Sequence, residues 1–237
     1  MALIFTAATS VAVAAKNATG TTPIVFGAGT DPVIEGLVDS VRLPGGRITG
    51  VHFSAGDVTA KRFELLREMV PKLARVVTFC NPKSLPALES AGRGQEAARL
   101  LNIEFLERHV STAQELQAAL DELRPGEADG YVAVADALVD SHAHLIIDTA
   151  RVKRLPTIFY EESIAARGGL ASYGVDFRAV GSVAAKYVAR ILGGSPPGEL
   201  PIERMTALSF VVNLSTAQQI GLSIPAAVLA RADKLVD

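Results

Sequence analysis

Several places in the chain put hydroxyl, carboxylate, amide or thiol groups directly after a short apolar run, where a strand would hand over to a helix. The first is Thr6-Ala7-Ala8-Thr9-Ser10. Free N–H groups and the positive dipole end of a helix starting there suit a carboxylate or other anion, and a plain helix cap would use the same residues. The second is Gly27-Ala28-Gly29-Thr30-Asp31-Pro32, in which Asp31 reads as an N-cap and Pro32 as the first helical residue. It is not a dinucleotide fingerprint, because Pro32 replaces the third glycine and no acidic residue about 20 positions on ends a following strand. The third is Cys80-Asn81-Pro82-Lys83-Ser84. Cys80 would be a nucleophile only beside a histidine, and none of His52, His109, His142 or His144 shares a recognisable motif with it, so a structural thiol is the better reading. Asp136 and Glu161-Glu162-Ser163 follow two further runs. Carboxylates there could run acid/base hydrolysis or seat a ligand ammonium group, and Glu161 is equally a solvated cap. No positioned histidine, no metal-spaced ligand set and no G-x-S-x-G accompanies them, which favours binding over catalysis. His142 and His144 would diverge by about 200° on one helix and could not share a metal there.

The elements that must position these groups alternate. Apolar or β-branched runs at 2–5, 23–26, 75–79, 103–107, 130–134, 157–160, 170–173 and 208–212 read as strands. Helical periodicity occupies 58–69, 85–101, 113–123, 138–154 and 178–192. In 58–69, Val58, Phe63, Leu65, Leu66 and Met69 fall near one face, with Lys61, Glu64, Arg67 and Glu68 largely opposite. The pattern is that of parallel βαβ units, an α/β doubly wound architecture. In such sheets ligands bind outside the carboxyl ends of the strands, where the polar junctions fall.

Length and composition narrow the function. At 237 residues with 49% apolar content the chain can form two lobes or one large unit with a substantial core. A net charge of −2 without a basic run gives no footprint for nucleic acid. The single Cys80 cannot form an internal disulfide. The opening MALIFTAATSVAVAA lacks a basic n-region and is interrupted by Thr6, Thr9 and Ser10, so it does not read as a signal peptide. No apolar run reaches the roughly 18 residues of a membrane span. Leu43-Pro44-Gly45-Gly46 with the polar segment 54–57, and Gly193-Gly194-Ser195-Pro196-Pro197-Gly198, are surface loops or crossings between lobes.

Taken in order, the junctions resemble one family. TAATSVAVAAK, TTPIVFGAGTDPVIEGLV, LPGGRITGVHFS, AKRFELLREMVPKLARV, ADGYVAVADAL, LPTIFYEESIAARGGLASYGVDF and FVVNLSTAQQIGLSIPAAVLARADKLVD are similar, over essentially the whole chain, to solute-binding proteins of ABC importers of the tryptophan/tyrosine type. The resemblance implies a type I periplasmic-binding-protein fold, two doubly wound parallel-sheet lobes with a hinge. Lobe 1 would comprise 1–53 plus 172–197, and lobe 2 would comprise 54–171 plus 198–237. It further implies a small ligand, possibly an aromatic amino acid, held between the lobes and delivered to a membrane permease, with a periplasmic or extracytoplasmic location, no catalysis, no cofactor and no metal. Carried over by position, Thr6, Thr9 and Ser10 would meet the ligand carboxylate, with Asp31 nearby. Asn81, Ser84, Asp136 and Glu162 would approach from the second lobe, Asp136 and Glu162 suiting an ammonium group. Phe5, Phe26, Tyr160 and Tyr173 would line the pocket or belong to the core.

One departure stands out. Members of this family begin with an export signal and opening strand–helix units of lobe 1 before a segment like 2–16, so lobe 1 is expected to be incomplete, with an unpaired apolar edge and self-association through it. A ligand-sensing module of a regulatory protein shares the expected fold and is the alternative, and an Asp136/Glu162 hydrolase is more distant.

Overall fold

The computed structural model describes residues 2–29, 31–53 and 58–237; Thr30 of the second polar junction and the polar segment 54–57 lie outside the described residues. Along the chain run β1 (Ile4–Thr6), α1 (Thr9–Ala18), β2 (Ile24–Ala28), β3 (Ile48–His52), α2 (Thr59–Met69), β4 (Arg75–Cys80), α3 (Leu85–Leu100), β5 (Glu104–His109), α4 (Ala113–Glu122) and β6 (Gly130–Val132). They continue with α5 (Ala137–Ser141), α6 (Ala143–Lys153), β7 (Thr157–Phe159), α7 (Glu162–Ala166), β8 (Ala171–Val175), α8 (Phe177–Leu192), β9 (Glu203–Arg204), β10 (Leu208–Asn213), α9 (Leu214–Ile220), α10 (Ala226–Leu229) and β11 (Lys234–Val236). No described helix is long and apolar enough to cross a membrane. The chain divides into two discontinuous units, Met1–Ala55 with Val175–Ala207, and Gly56–Gly174 with Leu208–Asp237.

The first unit is built on a parallel sheet of order β1-β2-β3-β9, with Ile4 opposite Ile24 and Val25 opposite Thr49. Alternation along β2 loads both faces. Ile24 and Phe26 join Ala12 of α1 and Ile48 in one cluster, while Val25 joins Val51 and the Val180, Ala184, Tyr187 and Ile191 stripe of α8 in another. Those α8 residues recur at a helical spacing that keeps them on one side. The helix begins at Asp176, whose carboxylate accepts the Arg178 and Ala179 N–H groups at 2.9 and 3.0 Å.

The second unit carries a seven-stranded sheet of order β11-β10-β8-β7-β6-β4-β5. It too is loaded on both faces. Val76 and Ile158 pack with Phe63 and Leu66 of α2, and the next residues, Val77 and Phe159, pack with Leu116, Tyr131 and Ile146 on the other side. From β4 the chain steps outward to β5 and then returns to place β6 on the opposite flank of β4. Loops after β4 and β6 therefore diverge, the switch point at which parallel sheets open a crevice.

Several sequence expectations change. Residues 198–207, assigned above to the second lobe, belong to the first unit. There β9 pairs with β3, Thr49 Oγ1 donates to Leu200 O at 2.7 Å, and Tyr187 donates to Pro201 O at 2.5 Å. Conversely, 172–174 stay in the second unit because β8 pairs with β7, Ser172 opposite Phe159. Of the stretches expected as surface loops or crossings, 43–46 and 193–198 are loops of the first unit, joined by Gly45 N–H donating to Gly198 O at 3.2 Å, while the boundary between the units falls within the 54–57 segment. Pro32 opens a single turn rather than a helix, and Gly36 at φ +65° redirects the chain. The helix expected over 138–154 breaks at His142 into α5 and α6, which brings the His142 and His144 rings to 6.2 Å.

Strand β3 was not anticipated, because Gly50 interrupts a short apolar run. The glycine is a steric requirement: a Cβ at Gly50 would stand 2.1 Å from the Phe26 carbonyl oxygen on β2. Gly50→Ala is expected to lower stability by about 3 kcal/mol or more by forcing these strands apart. Urea unfolding of the variant with an unchanged midpoint would contradict this packing.

Candidate functional site

In the first unit, Thr6, Gly29 and His52 stand at the carboxyl ends of the neighbouring strands β1, β2 and β3. Thr6 is 3% exposed, and its hydroxyl has no hydrogen-bond partner among the described residues. Two residues on, α1 starts from Ala8, which has no side chain able to cap, and no side-chain cap bond is made. The capping reading of Thr6, Thr9 and Ser10 therefore does not hold, since Thr9 and Ser10 lie inside the helix. Asp31 caps its own turn, accepting from Val33 N–H at 2.8 Å and Ile34 N–H at 3.3 Å. Half-buried His52 is held below the usual imidazole range by burial, with Asp31 opposing and Arg204 reinforcing the shift.

In the second unit the structure brings Asn81, Ser84 and Asp136 together. Asp136, 3% exposed, accepts Asn81 N–H at 2.5 Å through one oxygen, and Leu138 and Val139 N–H at 2.9 and 3.2 Å through the other. One carboxylate thus caps α5 and fastens the loop after β4 across the switch point. Ser84 caps α3 through Ala87 N–H at 3.4 Å, and Asn81 accepts from Lys83 N–H at 3.0 Å. Tyr160, directly after β7, donates its hydroxyl to Asp140 at the C-terminal part of α5. Burial foremost, against the Tyr160 bond and with Asp136 and Glu161 adding repulsion, pushes the Asp140 carboxyl up to about 7.

The remaining residues expected in the site stand apart from that cluster. Glu162 pairs with Lys234 at 2.7 Å. Tyr173 packs edge-on to Phe210, centroids 6.3 Å apart, on a cavity of about 230 Å³ shared with Leu65 and Arg231. Phe26 is fully buried core, and Phe5 is 49% exposed.

Sequence reasoning missed Arg62, Thr59 and Asp140. Arg62 is 2% exposed, with Nη2 donating to Thr59 Oγ1 at 3.0 Å and the guanidinium 5.7 Å from the Tyr160 ring centroid. The signal was present in the spacing, because Arg62, Leu66 and Met69 fall at i, i+4 and i+7 on the buried face of α2. Cys80 also has a histidine beside it in space, where none was expected. Cys80, Glu107 and His109 place their ligating atoms within 4.8 Å of one another, because Cys80 lies opposite His109 in the β4–β5 register. Burial first, then the charges of Glu107 and Asp136, push this thiol up to about 11, so it stays protonated and is not a nucleophile at neutral pH.

Two discontinuous α/β units, each a helix-covered parallel sheet with polar groups at its strand ends, define a type I periplasmic-binding-protein fold. The chain belongs to the ABC transporter substrate binding protein family, whose model matches residues 1–236. A curated relative, the tyrosine-binding protein of Clostridioides difficile (strain R20291), is 28% identical over 221 residues, 93% of this chain and 63% of the relative, so the chain spans less than two thirds of that protein. Among solved structures, a conserved domain protein from Vibrio cholerae is 30% identical at a TM-score of 0.82, covering 98% of this chain and 78% of that one. The ligand-free, open CD0873 substrate binding protein from Clostridium difficile is 26% identical at a TM-score of 0.72, covering 99% and 78%. An ABC domain in complex with L-Trp from Streptococcus pneumoniae shares the fold at 21% identity and a TM-score of 0.81, covering 99% and 80%.

Asp140 yields a pH prediction. Its folded pKa of about 7 lies above the ordinary 3.8, so the folded protein retains a proton that the unfolded chain releases. The resulting loss of stability grows as pH rises from about 4 to about 7 and is complete above that. Asp140→Asn keeps an acceptor for Tyr160 without ionising. It should match the parent at pH 4 and exceed it at pH 8 by about 2 kcal/mol, a figure discounted for partial solvent screening. Urea titrations at both pH values test this, and equal stability at pH 8 would refute it.

Proposed function

We propose that this chain is the solute-binding component of an ABC importer. In this reading it holds a small molecule of the amino-acid class, performs no chemistry on it, and presents it to a membrane permease from an extracytoplasmic position. The observation that carries the reading is the start of α1: a buried Thr6 hydroxyl without a partner among the described residues stands beside a helix N-terminus whose N-cap, Ala8, makes no side-chain cap bond. Such a terminus combines directed N–H donors with the positive end of the helix dipole and suits a ligand carboxylate. Ser10 and Thr9 stand in that first turn, and Asp31 follows the neighbouring strand.

The family match, the tyrosine-binding relative and the L-Trp complex support amino acids as the ligand class, aromatic ones first among those to test. In the second unit, Asn81, Ser84 and Tyr160 are the side chains offered at the same strand ends. Asp136 acts by holding the Asn81 loop in place. Glu162, already paired with Lys234, and Tyr173, packed on Phe210, contribute less directly. Self-association through the first unit also belongs to this reading, favoured by β1 at the sheet edge and the half-exposed Phe5 beside it.

A ligand that binds only the folded state raises the melting temperature, by about 2.7 kcal/mol of stability at a hundredfold excess over Kd. Screening the proteinogenic amino acids by thermal shift should therefore give at least one clear rise. Thr6→Val, which keeps the shape and removes the hydroxyl, should weaken that binding about tenfold while leaving the unliganded melting temperature unchanged. A screen without any shift would remove the basis for the reading.

A further inference from the structure

Cys80, Glu107 and His109 form a mixed donor set that the solute-binding reading does not use. Residues two apart on a strand share a face, so Glu107 and His109 stand on one side of β5. Cys80, the last residue of β4, lies opposite His109 in the parallel register, as Thr78 lies opposite Glu107, which puts the sulfur on that same side. Val110 N–H donates to Cys80 O at 3.0 Å and holds the two strand ends together.

Glu107 stands between the other two groups. Its carboxylate is 2.7 Å from His109 Nε2 and accepts a hydrogen bond from the Cys80 thiol. Sulfur, carboxylate oxygen and imidazole nitrogen all lie within 4.8 Å of one another. Two ligands of one tetrahedral Zn2+ stand about 3.3–3.6 Å apart, given metal bonds of about 2.1 Å to nitrogen or oxygen and about 2.3 Å to sulfur. The spacing here brackets that separation, so rotation of the exposed Glu107 and His109 side chains is enough to converge the three donors. Cys80 is packed against Ala87, Ala91 and Val134, and the exposed pair leaves an approach from solvent on the other side.

The chemistry of the set is selective. An ion pair accounts for Glu107 with His109, but not for a thiol turned to the same point. Thiolate and imidazole favour Zn2+ over Mg2+ and Ca2+, which take oxygen ligands. The Asp136 carboxylate also acts on this sulfur and adds negative potential that suits a cation.

We propose that Cys80, Glu107 and His109 bind a single Zn2+ ion, with water completing the coordination. The S–H bond of Cys80 breaks, an S–Zn bond forms, and the proton leaves to solvent. The ion fastens β5, at the end of the sheet order, to β4 immediately before Asn81. All three ligands belong to the second unit, so the site stands independently of the solute-binding reading.

Calorimetric titration of the full chain, without a histidine tag and with the thiol kept reduced, tests this with ZnCl2, MgCl2 and CaCl2, alongside melting temperatures and the absorption spectrum after CoCl2 addition. The parent should bind one Zn2+ per chain and melt at a higher temperature with it, and should bind neither Mg2+ nor Ca2+. Its Co2+ complex should show a thiolate-to-metal charge-transfer band, which can arise only from Cys80 because the sequence holds no other cysteine. His109→Ala, Glu107→Ala and Cys80→Ala should each weaken Zn2+ binding by at least about tenfold and reduce the melting shift. His109 and Glu107 are exposed, so their variants and the parent Co2+ spectrum decide the matter even where loss of the buried thiol disturbs the core. No Zn2+ binding by the parent, a Co2+ complex without the band, or a His109→Ala or Glu107→Ala variant weakened less than tenfold overturns the assignment. Each of those outcomes leaves the solute-binding reading to its own amino-acid screen.

Discussion

Parallel strands covered by helices on both faces leave a chain very few places for polar side chains. In β2, Ile24, Val25 and Phe26 are all fully buried, on alternating sides, and Val76 and Val77 of β4 repeat the arrangement in the second unit. Hydroxyls, amides and carboxylates are therefore driven to the strand ends, where all parallel strands finish at one edge. Thr6, the Asp31 turn, Asn81, Asp136 and Tyr160 stand where they do for that reason. The polar edge of each sheet is in this sense a by-product of core packing, and the fold could accept different chemistry there by changing only these few residues.

What distinguishes the residues at that edge is whether their bonding capacity is already used. Asp136 accepts three backbone N–H groups, which fixes two loops and leaves the carboxylate little to offer a ligand. Thr6 and Arg62 are the reverse: both are buried, and each keeps a polar atom without a partner among the described residues. Native structures satisfy most buried polar groups, so such exceptions are informative about function. Asp140 and Tyr160 fall between these cases, bonded to each other within a partly dry environment.

Much of this was legible in the sequence, and the illegible part has physical reasons. Strands β1, β2, β4, β5, β6, β7, β8 and β10 and helices α2, α3, α4 and α8 could be read from apolar runs and helical periodicity, and in β4, β6 and β7 burial on both faces makes those runs continuous. β3 was hidden by Gly50, whose role is set by the closeness of the Phe26 carbonyl and not by local preference. The helix break at His142 and the Cys80–His109 pairing depend on tertiary neighbours that spacing alone does not encode. Arg62 escaped for a different reason: a basic residue within an amphipathic helix is normally read as solvated, and only its register with Leu66 and Met69 marks it as internal. The assignment of 198–207 went astray because the pairing of β9 with β3 joins residues about 150 positions apart, beyond any local signal.

The discontinuity of both units bears on how the chain can acquire its structure as it is made. The cluster that covers one face of the β1–β3 sheet is supplied by α8, and the second unit needs β10 and β11 from near the other end of the sequence. Neither core can close on a nascent chain that has emerged only halfway, because its missing wall has not yet been synthesised. Loop-closure entropy favours late, cooperative consolidation over early domain-by-domain folding. A polypeptide built this way stays loose for most of its synthesis, a property compatible with being threaded through a narrow channel before it collapses.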